Sequence, residues 1–279
     1  MSQNKNITLA HSPDADDAFM FYALANKKID TDGLCFIHEL HDIETLNRRA
    51  MECVYDVTAI SFHAYPLISK NYALLSCGSS VGDNYGPIIV SKKPIETKEL
   101  KGKVVAIPGT LTTAFLTLKL FDKNIPHKVI PFDKIPDAVA SGEVDAGVLI
   151  HEGQVNFESY GLCKVLDLGK WWYEDTGLPL PLGGNAIKRN IEPDVAGKVI
   201  SAMKHSIEFA LNHRDEALSY AMKYSRDIGK DKADKFVSMY VNNYTLDLGE
   251  RGKEAVMALL RKGFEAGIIK DNVDVKFLG

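Results

Sequence analysis

The chain has 279 residues, 46% of them hydrophobic, enough to fill one large core or two modest ones, and disorder is set aside. Thirty-three Lys and Arg against 37 Asp and Glu give a net charge of −4 with no long run of either sign, so the basic stripe that a nucleic acid or an anionic membrane requires is missing. The first six residues run straight into an apolar stretch at 7–10 without the core of a secretory signal, and no later stretch has the length of a membrane span. Cys35, Cys53, Cys77 and Cys163 are scattered without a Cys-x-x-Cys pair, so a cytoplasmic protein with buried, reduced thiols is expected.

Short β-rich runs alternate with helical patterns over the first two-thirds of the chain. Strands are expected at residues 7–10, 34–40, 56–60, 72–77, 88–90, 103–107, 128–131, 146–150 and 164–168. Helices at 18–26, 43–51, 113–122 and 135–141 fall between several of them, the order of parallel βαβ units in an α/β fold. From about residue 192 the pattern is helical only, at 195–212, 215–224, 232–240 and 250–266, opened by Pro193-Asp194 and stopped by Gly267. Such a tail is expected to pack back on the α/β body.

A faint internal echo divides the chain. Ser12-Pro-Asp-Ala-Asp-Asp-Ala-Phe19 after the first strand has a counterpart in Pro108-Gly-Thr-Leu-Thr-Thr-Ala-Phe115 after the sixth, each reading as the first strand-turn-helix of its own lobe. The charged, turn-rich residues 92–102 read as the link between lobes and residues 178–184 as the return crossing. The expected lobes are residues 1–90 plus 184–279 and residues 91–183, with a ligand cleft between them and closure about residues 87–90 and 182–185.

Ligands of open α/β sheets collect at the carboxyl ends of strands, where helix N-termini present unpaired N–H groups. Four segments qualify: residues 11–17, 58–63, 109–113 and 150–154. The stretch Gly109-Thr-Leu-Thr-Thr113 reads either as a carboxylate cradle of hydroxyls and backbone N–H groups or as ordinary capping, and Ser61 in the other lobe favours the cradle. Asp14, Asp16 and Asp17 follow Ser12-Pro13, where the helix macrodipole alone accounts for acidic residues; the glycine and closing Glu of a calcium loop are missing, so no metal is expected, and Asp17 is read as a partner for sugar hydroxyls.

Of the eight histidines, His38 and His41 lie three apart on a strand end and point to opposite faces, which argues against a zinc pair. His205 and His213 lie on the late helices, His63 reads equally as cleft lining or helix cap, and His11 ends the first strand. His151 directly follows the apolar run Ala146-Gly-Val-Leu-Ile150 and precedes Glu152 as a helix begins; an imidazole there is either a structural cap or a general base, since its ordinary pKa lies near neutrality.

Taken in order, Ser12-Pro-Asp-Ala-Asp-Asp-Ala-Phe-Met-Phe-Tyr22, Glu44-Thr-Leu-Asn47, Pro108-Gly-x-x-Thr-Thr-Ala114, Gly147-Val-Leu-Ile-His-Glu152, Trp171-Trp172, Thr176-Gly-Leu-Pro-Leu-Pro-Leu-Gly183, Tyr240-Val-Asn242 and Leu246-Asp-Leu-Gly249 resemble the 1,4-dihydroxy-6-naphthoate synthases. The resemblance spans nearly the whole chain. It implies a two-lobed periplasmic-binding-protein type II-like fold with a helical carboxyl-terminal segment, used as a cofactor-free lyase of the futalosine route to menaquinone. The implied substrate is cyclic dehypoxanthine futalosine. The family's catalytic histidine falls on His151, its substrate-binding strand end on Thr58, Ala59, Ile60 and Ser61, and its paired threonines on Thr112 and Thr113. Some members carry a Pro-Cys-Pro-Asn-Asp type of first turn, so Asp17 carries over more directly than Asp14 or Asp16.

Two rival readings share this fold. A non-catalytic receptor for a small carboxylate ordinarily requires a signal peptide or lipid anchor and would bind without turnover. A chorismate dehydratase of the same pathway is the other, and the His151-Glu152 pair with the Ser12-Pro-Asp-Ala-Asp-Asp17 turn speaks for the synthase. All three readings make a small carboxylate the partner; none specifies an oligomeric state.

Overall fold

The computed structural model describes residues 5–225 and 229–279. Met1 to Asn4, on which the reading of the amino terminus partly rests, and Arg226 to Ile228 lie outside the described residues. The strands are β1 (Lys5–His11), β2 (Leu34–Leu40), β3 (Val57–Ser61), β4 (Tyr72–Leu75), β5 (Ser80–Gly82), β6 (Ile88–Ser91), β7 (Val105–Ile107), β8 (His127–Val129), β9 (Ala146–Leu149), β10 (Cys163–Asp167), β11 (Leu180–Lys188) and β12 (Phe277–Leu278).

They form two mixed sheets. The first runs β12-β4-β11-β3-β1-β2, with β5 added alongside β11, and the second runs β10-β6-β9-β7-β8. The expected parallel units sit at corresponding places: β1 lies parallel between β3 and β2, and β7 lies parallel between β9 and β8. Each is followed by a short turn and a helix, Ala15–Met20 after β1 and Thr113–Phe121 after β7, so the internal echo is a repeated piece of structure. The second helix is capped by the Thr112 hydroxyl, which accepts from the Phe115 N–H at 3.2 Å.

The crossings lie elsewhere than the composition suggests. Residues 88–91 are β6, paired with β9 and β10 inside the second sheet, so the charged segment 92–102 is a loop within that sheet and the chain crosses earlier, between β5 and β6. The return runs through the Leu168–Thr176 helix, and the Pro- and Gly-rich segment after it is the nine-residue strand β11, paired antiparallel with β3, β4 and β5. Pro181 is accommodated at a shift of register and Gly183 where an added Cβ would stand 2.9 Å from the Ile60 carbonyl, so residues that read as turn formers serve a close strand pairing. The expected hinge residues 182–185 are thus tied into a sheet.

The first sheet packs under the helices Pro193–Asn212, Arg214–Ala221 and Lys230–Tyr240, through Leu9, Phe19, Met203, Ile207, Phe236 and neighbours. A second cluster around Trp172, Tyr65 and Leu259 gathers on its other side, where the Trp172 indole donates to the Pro179 carbonyl at 3.0 Å. The expected single helix at 18–26 starts at Ala15 and breaks at Phe21, and all six residues of its first part are buried, the two aspartates included. All four cysteines are unpaired; Cys77 is buried, whereas Cys35, Cys53 and Cys163 are only half-buried. Among the described residues no helix is long and apolar enough to cross a membrane.

Candidate active site

The carboxyl ends of β1, β3, β7 and β9 converge on one cavity. About 710 Å³ of space, part of it open to solvent, is lined by Ser12, Asp14, Asp16 and Asp17 after β1, by Ala59 to Ser61 on β3, by Thr112 to Ala114 after β7 and by Ile150, His151 and Gln154 after β9.

His151 stands in the left-handed region at φ 51°, a strained conformation for a residue with a Cβ and one that clusters at working sites. Its Nδ1 lies 3.1 Å from Oδ2 of Asp14, whose side chain is 1% exposed, and its ring meets the Phe132 ring edge to face at 5.0 Å. The Ser12 hydroxyl donates to the same carboxylate oxygen. A carboxylate on Nδ1 fixes the tautomer with its proton there and leaves the lone pair on Nε2, which is the arrangement of a neutral base. Glu152 accepts the Ala15 N–H at 3.3 Å, on the turn that also carries Asp14. The helix begins only at Gly153.

The hydroxyls divide the two readings of the threonine turn between them. Thr112 spends its hydroxyl inside the turn, donating to the Gly109 carbonyl at 2.9 Å while it caps the helix. Thr113 only accepts, from the His63 N–H at 3.2 Å, so its proton can go to a ligand. Ser61 likewise accepts, from Asn47 Nδ2 at 3.1 Å, and its O–H can donate into the cavity. The N–H groups of Thr113 and Ala114 belong to the first turn of the helix, where no intrahelical carbonyl is available to them. One end of the cavity therefore presents hydroxyl and backbone N–H donors, with no Arg or Lys among the lining residues.

The other end is acidic. Burial, and then the neighbouring Asp14, push the Asp16 carboxyl upward, with His151 pulling the other way, and Ser80 donates to it at 3.3 Å. Asp17 is raised further by burial and by Asp16, although its Oδ2 accepts the Ser12 N–H at 2.7 Å. Burial and Asp14 push Glu152 up to about 7. These are the conditions under which carboxyls keep a proton and can donate as well as accept. Among the described residues no group of three or more His, Cys, Asp and Glu could hold a metal ion.

Not every expected residue reaches the cavity. Thr58 is 0% exposed within β3, its hydroxyl on the Ala59 carbonyl at 3.0 Å, and does not line the space. His63 instead holds the threonine turn, with Nδ1 3.2 Å from the Thr112 carbonyl, and His11 pairs with His38 at 3.1 Å outside the cavity. Conversely, Tyr240 and Phe236 of the Lys230–Tyr240 helix and Gly183 and Gly184 of β11 complete the wall, and the Tyr240 hydroxyl and Gln154 amide lie 2.6 Å apart. Of these, Tyr240 and Gly183 fall in the Tyr240-Val-Asn242 and Thr176 to Gly183 motifs, and Phe236 and Gly184 in none.

The menaquinone biosynthesis family matches residues 7–265. A 1,4-dihydroxy-6-naphthoate synthase from Thermus thermophilus is 36% identical over 262 residues, 94% of this chain and 95% of its own length. The chain belongs to this family of menaquinone biosynthesis enzymes. A crystal structure of a protein from Archaeoglobus fulgidus, 50% identical, superposes with a TM-score of 0.91 over 95% of this chain and 98% of that one. A Candida albicans protein described as having the generic periplasmic binding protein fold superposes with a TM-score of 0.71 at 14% identity, over 96% of this chain and 92% of that one, which establishes the fold. In this menaquinone biosynthesis enzyme Trp172 and Thr176 are architectural, the Thr176 hydroxyl donating to the Trp172 carbonyl at 2.7 Å and Trp172 wholly buried, whereas Gly183 at the end of the same stretch lines the cavity.

Proposed function

We propose that the protein is a cytoplasmic, cofactor-free lyase that converts cyclic dehypoxanthine futalosine to 1,4-dihydroxy-6-naphthoate in the futalosine route to menaquinone. The observation that carries this reading is the Asp14–His151 pair at the wall of a cavity whose far end offers the Ser61 and Thr113 hydroxyls. His151 Nε2 removes a proton beside a carbonyl of the substrate, and Asp14 stabilises the imidazolium that forms. Ring opening and loss of a small polyol fragment follow, driven by formation of the aromatic diol. Ser61 and Thr113 hold the carboxylate, and Asp16 and Asp17 face the polyol hydroxyls. Two lobes closing over the cavity exclude water from the charged intermediate.

The test is formation of the naphthoate from the purified cyclic compound, with chorismate as the competing substrate. His151→Asn keeps size but cannot accept a proton and should lower kcat by about 10²–10⁴. Asp14→Asn, whose amide can donate to Nδ1 and so invert the tautomer, should lower kcat by about 10²-fold or more with little change in KM. Naphthoate formation at the parental rate by His151→Asn would place the base elsewhere; turnover of chorismate alone would assign the sister activity.

A further inference from the structure

The Glu44-Thr-Leu-Asn47 motif has no part in the chemistry above, yet its side chains meet the threonine turn of the other sheet. Asp42 caps the Ile43–Met51 helix, accepting the Thr45 N–H at 3.0 Å, and Glu44 and Asn47, three residues apart, come to one face. Asn47 is 0% exposed and fully engaged: Oδ1 accepts the Ser61 N–H at 2.8 Å, while Nδ2 donates to Ser61 Oγ at 3.1 Å and reaches the Leu111 carbonyl at 3.4 Å. Glu44 takes the other side of the same peptide unit region, its Oε2 accepting the Leu111 N–H at 3.0 Å, while Oε1 is held by Arg48 at 2.7 Å. Gly109 makes the approach possible, since a Cβ there would stand 2.3 Å from Glu44 Oε2. The motif therefore touches both halves of the carboxylate cradle, Ser61 on one sheet and the turn carrying Thr113 on the other.

We propose that Glu44 and Asn47 are positioning residues that assemble the carboxylate cradle: Asn47 fixes the Ser61 hydroxyl as a donor, and together they latch the Leu111 turn so that Thr113 faces the same ligand. The hydrogen-bond directions require the first part. Asn47 Nδ2 has no lone pair to offer, so Ser61 Oγ must accept from it, and the serine proton is turned to the ligand. The Ser61 N–H is already spent on Asn47 Oδ1, so the hydroxyl is what this residue contributes. This rests on the carboxylate reading of that end of the cavity.

The experiment compares two probes by calorimetry under reducing, anaerobic conditions: 1,4-dihydroxy-6-naphthoate and 1,4-dihydroxynaphthalene, which lacks the carboxylate. The parent should prefer the naphthoate by at least about tenfold, the scale of one hydrogen bond to a charged group. Asn47→Asp places a carboxylate oxygen where the amide donor was, so Ser61 turns its proton to Asp and the preference should fall by about tenfold or more, with diol affinity within about threefold of the parent. Glu44→Ala, at a side chain 14% exposed, should lower the preference in the same direction, and Glu44→Gln, which still accepts from Leu111, should restore it. Retention of the parental preference by Asn47→Asp and Glu44→Ala overturns the latch, as does equal loss of both probes or failure of Glu44→Gln to rescue. Should Asn47→Asp not fold, the Glu44 pair decides. Absence of any preference in the parent defeats the carboxylate reading itself, and is recognised because it appears before any substitution.

Discussion

Three histidines show how much of this site is set by burial. His63 is held down to about 4 by burial, against the raising effect of the Thr112 carbonyl, and His11 to about 3 by burial and by His38. Between pH 6.5 and these values the unfolded chain binds protons that the folded chain refuses, so this stability is present above about 6.5 and is lost as the pH falls through 4. Glu152 has the opposite sign: raised to about 7, its contribution is greatest below its ordinary 4.5 and is lost as the pH rises through 7. His63→Gln, whose amide can still donate to the Thr112 carbonyl, should flatten the fall in Tm between pH 6.5 and 4. Melts across that range check it, and an unchanged slope would mean that His63 takes its proton freely in the folded state. His151 differs from both because a carboxylate, rather than a carbonyl or a second imidazole, meets its Nδ1.

At the scale of elements, the site depends on how closely strands and helices approach. Gly147 in β9 lies against the Ile135–Ser141 helix, where an added Cβ would stand 2.4 Å from Ile135 and 2.9 Å from Val139. Overpacking of this kind typically costs about 1–3 kcal/mol. Gly147→Ala should lower Tm by several degrees and, because β9 delivers His151, reduce kcat as well; a stable, fully active variant would show that the helix can move aside. The strands were legible where apolar residues run without interruption, as at β6 and β9. They were illegible at β11, whose Pro and Gly residues serve a close pairing that only the neighbouring strands explain.

Across the molecule, contacts between the two sheets' segments bridge the two walls of the cavity. Asp14 meets His151, Glu152 meets the Ala15 N–H, His63 meets Thr112 and Thr113, and Lys232 reaches Asn156 at 2.7 Å. The cavity remains partly open to solvent, and these contacts join its two walls. The chain crosses between sheets only between β5 and β6 and through the Leu168–Thr176 helix, which leaves two connections about which opening can occur. The radius of gyration in solution scattering should therefore fall when the naphthoate is added at saturation. Superimposable curves with and without it would argue against closure about these crossings.

The sequence by itself determined the α/β class, the helical tail, the four strand ends that meet at the cavity, and His151 as a candidate base. Each is written in local patterns of hydrophobicity, turn chemistry and residue type, which need no knowledge of distant neighbours. The resemblance to a known family added the chemistry. The tertiary structure decided which residues act on one another. Asp14 reads as an ordinary first-turn acid because its partner is more than a hundred positions away, and Thr58, placed at the site by the resemblance, lies inside a sheet, where burial leaves no local mark. Hydrogen-bond partnership is a matter of direction and distance in space, and only the approach of the turn after β1 to the residues after β9 places a carboxylate on the imidazole.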